Sequence, residues 1–183
     1  MPYVRCDACG VASFAPRSRL EPPSCPSCDT PLLEAFTGTP DQASSWPRID
    51  ALLGLTRAVL SVDAALLSEV ADGRETAVRT AGRWPVDLDG ASIRLEDTYC
   101  QRMLEGRIGN LVPDAAADPE VANLTTTAEL GIGAWLGVPI QPSDTSLYIL
   151  CCLAREARPD LTERDVRVLS GIAQSMSVVL EGP

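Results

Sequence analysis

Two cysteine doublets near the start constrain this chain more than any other feature. Cys6-Asp7-Ala8-Cys9 and Cys25-Pro26-Ser27-Cys28 are C-x2-C pairs with fifteen residues between Cys9 and Cys25. Two thiolates three positions apart across a tight knuckle reach one Zn2+ at about 2.3 Å, and two such knuckles complete a tetrahedron. Cys6, Cys9, Cys25 and Cys28 are therefore the expected ligands of a structural zinc ion. A segment of about 30 residues cannot bury enough apolar surface to fold alone, so the metal would supply its folding energy. The competing readings are two disulfides or four unrelated thiols, and a reducing compartment disfavours the disulfides. Prolines at 2, 16, 22, 23, 26 and 31 and the lack of any helical period mark residues 1–36 as a small, loop-rich unit.

A second constraint is an absence. All fifteen basic residues are Arg, so the chain has no Lys and no His. That excludes a Ser-His-Asp triad, a His-bound metal or haem, a P-loop lysine and a Schiff base. Zinc remains accessible because the four proposed ligands are all thiols. A net charge of −10 opposes binding to nucleic acid, since phosphate contacts need a local excess of cationic side chains. Hydrophobic residues make up 45 %, which implies a packed core, and aromatics only 4 %, which makes that core mostly aliphatic. The longest strongly apolar run, Leu147 to Ala154, is far shorter than the roughly 20 residues of a membrane span. The start lacks the apolar region of a signal peptide, so no membrane and a cytoplasmic location are expected.

Residues 37–45 are turn formers and small polar residues and are read as a linker; residues 46–183 have the length of one α/β domain. Within it, apolar positions from Ile49 to Leu60 recur at helical spacing. Ala64–Val70 and Thr76–Arg83 are strand candidates joined across Asp72-Gly73, a strong hairpin signal. A weaker strand at Ala91–Leu95 precedes a short helix capped by Asp97 or Thr98 and ending at Glu105, where Gly106 suits the helix C-terminus. An extended segment from Arg107 to Val112, a helix from Glu120 to Leu130, and strands Gly133–Ile140 and Leu147–Ala154 about a turn at residues 141–144 follow. Thr162-Glu163-Arg164-Asp165 opens the closing helix, whose apolar residues include Val166, Leu169, Ile172, Met176 and Val179.

Two resemblances follow from these residues. The cysteine unit, over about residues 4–33, resembles the zinc ribbon family. Its Arg5, Arg17 and Arg19 against Asp7, Glu21, Asp29 and Glu34 make nucleic-acid binding a poor fit and favour docking to protein or covering the larger domain. Leu95 to Arg102, Gly106 to Asp114, Gly133-Ala134-Trp135-Leu136-Gly137-Val138-Pro139-Ile140, Leu150 to Leu153 and the closing helix together resemble the GAF domain family over about residues 46–181. That resemblance implies an α+β fold: an antiparallel sheet with the two terminal helices on one face and a small-molecule pocket on the other, roofed by the Asp97–Glu105 helix and the loops from Asp114 to Leu130.

The missing residue types prune the family's known branches. The bilin branch carries a Cys-His pair, whereas Cys100 precedes Gln101; the haem branch needs a His ligand; the cyclic-nucleotide branch needs an Asn-Lys-Phe-Asp-Glu motif. The free methionine sulfoxide reductase branch has a reactive Cys near the position of Cys100, but also a second Cys and a carboxylate that have no counterparts in the 115–132 loop or on the Trp135 strand. Cys100 is then either a small buried packing residue or a redox or ligand group. Cys151 and Cys152 are strand neighbours and point to opposite faces, one towards the pocket and one beneath the terminal helices. Tyr99, Trp135 and Tyr148 are candidate pocket residues or ordinary core, and Asp114 is either a ligand contact or a turn former. A pocket of about 300 Å3 or more would favour ligand binding, and a filled interior a scaffold.

Leu169, Ile172, Met176 and Val179 step by 3, 4 and 3, close to a heptad seam that packs on its own sheet or on a twin helix. A homodimer through the terminal helices is expected. With no kinase, phosphodiesterase or DNA-binding segment after the closing helix, a sensed signal would pass to a separate protein partner. The expected function is a non-enzymatic, small-molecule-sensing or protein-interaction signalling module that binds structural Zn2+ and possesses a pocket for an unidentified small molecule. The alternative is a Cys-dependent redox enzyme or switch of the free methionine sulfoxide reductase type using Cys100.

Overall fold

The computed structural model describes residues 3–5, 12–14, 40–143 and 146–181. The proposed zinc ligands Cys6, Cys9, Cys25 and Cys28 lie outside the described residues. The chain divides into two compact units, Met1–Trp46 with Gly182–Pro183, and Pro47–Glu181. In the first, β1 (Tyr3–Arg5) pairs antiparallel with β2 (Ala12–Phe14), Tyr3 opposite Phe14 and Arg5 opposite Ala12.

The first helix, α1 (Pro40–Leu60), starts well before Ile49 and replaces part of the stretch read as linker. Proline is favoured in a first helical turn, where its missing N–H costs nothing, so Pro40 suits this start; Pro47 lies within the helix. Ile49, Leu53, Thr56 and Leu60 recur every three or four residues and are all buried, with Thr56 Oγ1 donating back to the Leu52 carbonyl at 2.7 Å.

Next come β3 (Ala64–Ala71) and β4 (Arg74–Gly82), joined by a two-residue turn in which Asp72 and Gly73 both have positive φ, 50° and 70°. Those are the values a type I′ turn demands, and the turn fixes the register: Ala71 opposite Arg74, Val70 opposite Glu75. A bulge between Leu67 and Ser68 then brings Ser68 opposite Ala77. β5 (Ser92–Arg94) borders β4, and a 3-10 turn at Leu95–Asp97 leads into α2 (Tyr99–Leu104). Only Leu111–Val112 of the expected extended segment becomes a strand, β6.

The helix expected from Glu120 begins at Thr125 instead, as α3 (Thr125–Leu130). Asp118 explains the delay: its carboxylate accepts from the Glu120 N–H at 2.9 Å, and its carbonyl accepts from Val121 and Ala122, closing local turns before a helix can propagate. β7 (Ala134–Ser143) and β8 (Ser146–Ala154) extend into the expected turn, for Ser143 pairs with Ser146 across a bulge after Ile140. Residues 141–143 are strand because the bulge absorbs the Gln-Pro irregularity at the end of the ladder. Finally α4 (Glu163–Glu181) is capped by Thr162, whose Oγ1 accepts from Arg164 N while Asp165 accepts from Thr162 N at 2.8 Å.

The sheet is antiparallel, in the order β5-β4-β3-β8-β7-β6. Its faces follow from alternation. Ala64, Leu66, Ala77, Trp135, Ile149, Cys151 and Leu153 join one buried cluster with Tyr99 and Cys100 of α2 and Val121, Leu124 and Ile132 of the α3 region. Leu150, Cys152 and Leu136 point the other way, the face on which α4 packs against β7. Val166, Leu169, Ala173 and Met176 are its buried residues, so the heptad-like stripe is spent largely on the chain's own sheet; Ile172 and Val179 are half-buried.

Candidate functional site

Between the sheet and the α2–α3 layer lies a cavity of about 120 Å3. Its floor is Leu66 and Ser68 of β3, Glu75 and Ala77 of β4, Trp135 of β7 and Cys151 and Leu153 of β8. Its roof comes from Thr98, Tyr99 and Cys100 at the start of α2, Thr126 and Leu130 of α3, and Val86–Leu88 of the loop after β4. The volume falls short of the 300 Å3 that would mark a cofactor-sized pocket and approaches that which admits a benzene-sized guest, roughly 150 Å3.

The roof is tied down by specific bonds. Thr98 is the N-cap of α2, with Oγ1 accepting from Gln101 N at 3.1 Å and donating to the Leu95 carbonyl at 2.9 Å. Helix α2 then stops after six residues, and Gly106 takes φ 70° beyond its end. Thr126 Oγ1 donates to the Asp97 carbonyl at 2.7 Å, and the hydroxyls of Tyr99 and Thr127 lie 2.8 Å apart, linking α2 to α3. Trp84 Nε1 donates to the Leu130 carbonyl at 2.9 Å and ties the loop after β4 to the same helix. Tyr99 stacks on Trp135 with ring centroids 5.6 Å apart.

One end of the cavity is polar. Cys100 Sγ donates to Glu75 Oε1 at 3.2 Å and shares a second contact, 3.4 Å, with Cys151 Sγ. All three residues are buried, Glu75 to within 7 % of full enclosure and the two cysteines to within 1 %. Glu75 Oε2 has no hydrogen-bond partner within the protein, and Ser68 Oγ, on the adjacent strand, has none of ordinary geometry. Leaving a buried polar atom unpaired costs about 1–3 kcal/mol, so this corner is held at a cost to stability. Burial pushes the Cys100 thiol well above its ordinary pKa, with Cys151 and the Glu75 charge acting in the same direction. For Cys151 the hydrogen bond with Cys100 pulls downward, but burial and Glu75 outweigh it and the net shift is upward. On the opposite face, burial likewise raises Cys152.

Of the residues singled out from sequence, Cys100, Tyr99 and Trp135 converge on the cavity, and Cys151 rather than Cys152 faces it. Asp114 and Tyr148 do not belong to it. Asp114 is exposed, and its carboxylate accepts from Ala116 and Ala117 N–H at 3.1 and 3.2 Å, which is turn stabilisation. Tyr148 lies one residue out of phase with Ile149 and Cys151, on the other face of β8. Sequence reasoning missed Glu75, Ser68, Thr126 and the Val86–Leu88 wall. The Asp72-Gly73 turn held the signal for Glu75: a two-residue loop sets it opposite Val70, on the same face as Ala77.

Comparison with known proteins follows the same outline. Residues 48–180 match the family model described as GAF domain. No curated protein sequence matches the chain. Among solved structures, the blue-light absorbing form of the PixJ GAF domain from Thermosynechococcus elongatus aligns with a TM-score of 0.64 at 20 % identity, covering 79 % of this chain and 89 % of that one. The phycoerythrobilin-bound GAF domain of a cyanobacterial phytochrome gives 0.60 at 16 %, over 77 % and 88 %. The GAF-B domain of DevS from Mycobacterium smegmatis gives 0.56 at 15 %, over 74 % and 91 %. At these identities the likeness is one of fold.

Proposed function

This chain belongs to the GAF domain family, and from that premise we propose that residues 48–180 form a small-molecule-sensing signalling module. The observation that carries the reading is the cavity, partly open past Val86 and Asp87, with a stacked aromatic pair on one side and the unpartnered Glu75 Oε2 on the other. Apolar walls with a few convergent polar groups are the usual character of a ligand site. The volume argues for a compact guest, benzene-sized or smaller, and against a linear tetrapyrrole, although bilin-bound GAF domains share the fold.

Thermal-shift measurements with a panel of small aromatic and polar fragments test the sensing role. Saturable stabilisation is expected, and Ala77→Leu, which fills the cavity, should remove it while leaving the chain folded. If no fragment stabilises the chain and Ala77→Leu raises Tm, the interior is a scaffold. The alternative, a redox switch, would use Cys100 and Cys151, whose sulfurs are 3.4 Å apart. A Cys100→Ser variant that keeps every peroxide response of the parent would dismiss it.

The reading extends to the N-terminal unit and to partners. Cys6, Cys9, Cys25 and Cys28 would hold a structural Zn2+, supported by their spacing and by the pairing of β1 with β2 on either side of Cys6 and Cys9. Loss of bound zinc on replacing Cys6 and Cys9 by Ser is the expected result. Leu55 and Val59 of α1 and Val178 of α4 are exposed apolar residues, each at least half accessible, and support a homodimer through the terminal helices. Light scattering that finds a 19.5 kDa particle at micromolar concentration would remove the dimer from the proposal. A separate protein would then receive the signal.

A further inference from the structure

We propose that the Glu75–Cys100–Cys151 corner of the cavity is a binding site for a thiophilic divalent cation of the zinc class, distinct from any site of the N-terminal cysteines. The inference rests on the reading of this cavity as the domain's ligand site and names what binds at its polar end. Among the described residues, these three each offer one donor atom, and the donors all lie within 4.8 Å of one another. They come from three separate elements, β4, α2 and β8, so the cluster is a product of the tertiary fold.

The spacing fits a tetrahedral ion. With Zn–S near 2.3 Å and Zn–O near 2.1 Å, two thiolates on one tetrahedral Zn2+ stand about 3.8 Å apart, and a thiolate and a carboxylate oxygen about 3.6 Å. The observed Cys100–Cys151 and Cys100–Glu75 separations are 3.4 and 3.2 Å. An outward movement of about 0.4 Å at each of these two pairs, within the range of small side-chain rotations, would bring them to coordination distance, and the third pair, Cys151–Glu75, lies within 4.8 Å. Linear two-thiolate binding would need the sulfurs about 4.6 Å apart, twice the Zn–S length, and fits less well.

The chemistry of the donors agrees with the geometry. Two soft sulfurs and one carboxylate oxygen suit Zn2+ better than Mg2+ or Ca2+, which prefer all-oxygen shells. Binding forms two S–metal bonds and one O–metal bond and releases the two thiol protons to solvent. Glu75 Oε2 is buried and without a partner, so turning that oxygen towards a metal breaks no hydrogen bond of its own. All three donors line the cavity, so its interior offers the fourth position to water or to a donor atom of a small guest.

The test uses the full reduced chain, stripped of metal by chelator and titrated with Zn2+. Wild type should take up about one equivalent more than a Cys100→Ala/Cys151→Ala variant, whatever the N-terminal cysteines bind. Equal uptake by the two chains overturns the proposal. Because the double variant removes two core side chains, Glu75→Gln provides a second reading: it preserves shape and both thiols, and should weaken that one equivalent by tenfold or more. Unchanged affinity in Glu75→Gln overturns the assignment of Glu75 and with it the three-donor site. Fragment binding measured separately, with chelator present, reads the sensing role on its own: fragment binding together with no extra equivalent in the zinc titration overturns the metal site alone, and an extra equivalent without fragment binding supports the metal site and overturns the sensing role.

Discussion

At the scale of single residues, Cys100 shows two effects in competition. It is the second residue of α2, where the helix N-terminus favours a thiolate by about 0.3–1 kcal/mol, less than one pKa unit. Full burial opposes it, and burial shifts acids by several units. Burial wins, so the metal-free thiol stays protonated at neutral pH. Alkylation of Cys100 and Cys151 by iodoacetamide in the native, metal-free chain at pH 7.5 should be more than about 100-fold slower than in the denatured chain, as read by mass spectrometry. Comparable rates would mean that the corner is open or the thiols ionised.

Gly137 makes a second residue-scale case. A Cβ at this position would overlap the Trp135 indole, which lies over it on the same strand face. The glycine is therefore what lets the ring lie flat and stack on Tyr99. Gly137→Ala should destabilise the domain by about 1–3 kcal/mol, the usual cost of overpacking, and reshape the cavity wall. Thermal denaturation and fragment binding would register both changes; a variant with unaltered Tm would show that the ring can move freely.

Among the elements, helix α2 depends most on local chemistry. It has only six residues, too few to persist by propagation alone, and is held by its cap and by the links to α3. Thr98, almost fully buried, supplies both a cap acceptor and a donor to Leu95. Thr98→Ala should cost about 1–2 kcal/mol, and Thr98→Ser, which keeps the hydroxyl, less than half of that. Chemical denaturation compares the two; equal losses would attribute the effect to packing of the methyl group instead of the cap.

The legibility of the elements follows the same division. The β3–β4 hairpin was readable because Asp72-Gly73 is a local turn signal, and α4 because Thr162 and Asp165 announce its start. The start of α3 was misplaced by five residues, since Val121, Leu124 and Ala128 already step at helical spacing while Asp118 closes turns with the backbone ahead of the helix. Helix α1 was cut short for the opposite reason: Pro40 and Pro47 look like loop residues, yet a first turn tolerates the one and the packed helix carries the other. For the site, Tyr99, Cys100 and Trp135 were identifiable from the family-like motifs. Ser68 was not, because both faces of β3 are apolar and alternation alone does not say which face borders a cavity; for Glu75 of β4 the turn gave the register with Val70 but not that this face meets Cys100.

For the whole molecule, composition sets the response to pH. With no His, few groups titrate between about pH 5 and 8, so stability should be nearly flat there. Below that range the Asp63–Arg155 pair matters. Asp63 accepts the Arg155 backbone N–H at 2.9 Å and its guanidinium at 3.0 Å, joining the start of β3 to the chain just after β8. The backbone hydrogen bond, with further help from the guanidinium, lowers the Asp63 pKa against the raising effect of burial. A carboxylate with a depressed folded pKa stabilises the fold above its unfolded value, near 3.9, and loses that contribution as pH falls through the folded value. Tm measured from pH 8 downward should therefore hold to about pH 5 and then decline, and Asp63→Asn should lower the unfolding free energy on the plateau by about 1 kcal/mol after allowance for solvent screening. In the metal-free chain, a Tm that changes by more than a few degrees between pH 6 and 8 would point to a group titrating outside its ordinary range; bound zinc, which displaces thiol protons, would add a pH dependence of its own.

What the sequence determined by itself is whatever depends on neighbours along the chain or on the presence of a residue type: the Asp-Gly hairpin and its register, the cap of α4, the amphipathic helices, and the exclusion of every His- and Lys-dependent chemistry. The family-like motifs added the sheet and its roof in outline. Only the tertiary structure decided that Cys151, not Cys152, faces the cavity, that Asp114 and Tyr148 stand outside it, and that the cavity is about 120 Å3. It also placed Glu75 3.2 Å from Cys100 and brought two sulfurs fifty-one positions apart in the chain to 3.4 Å. Local signals fix dihedral angles and periods, whereas a site of this kind is fixed by which strand pairs with which and by how far the layers close, and those depend on the packing of the whole domain at once.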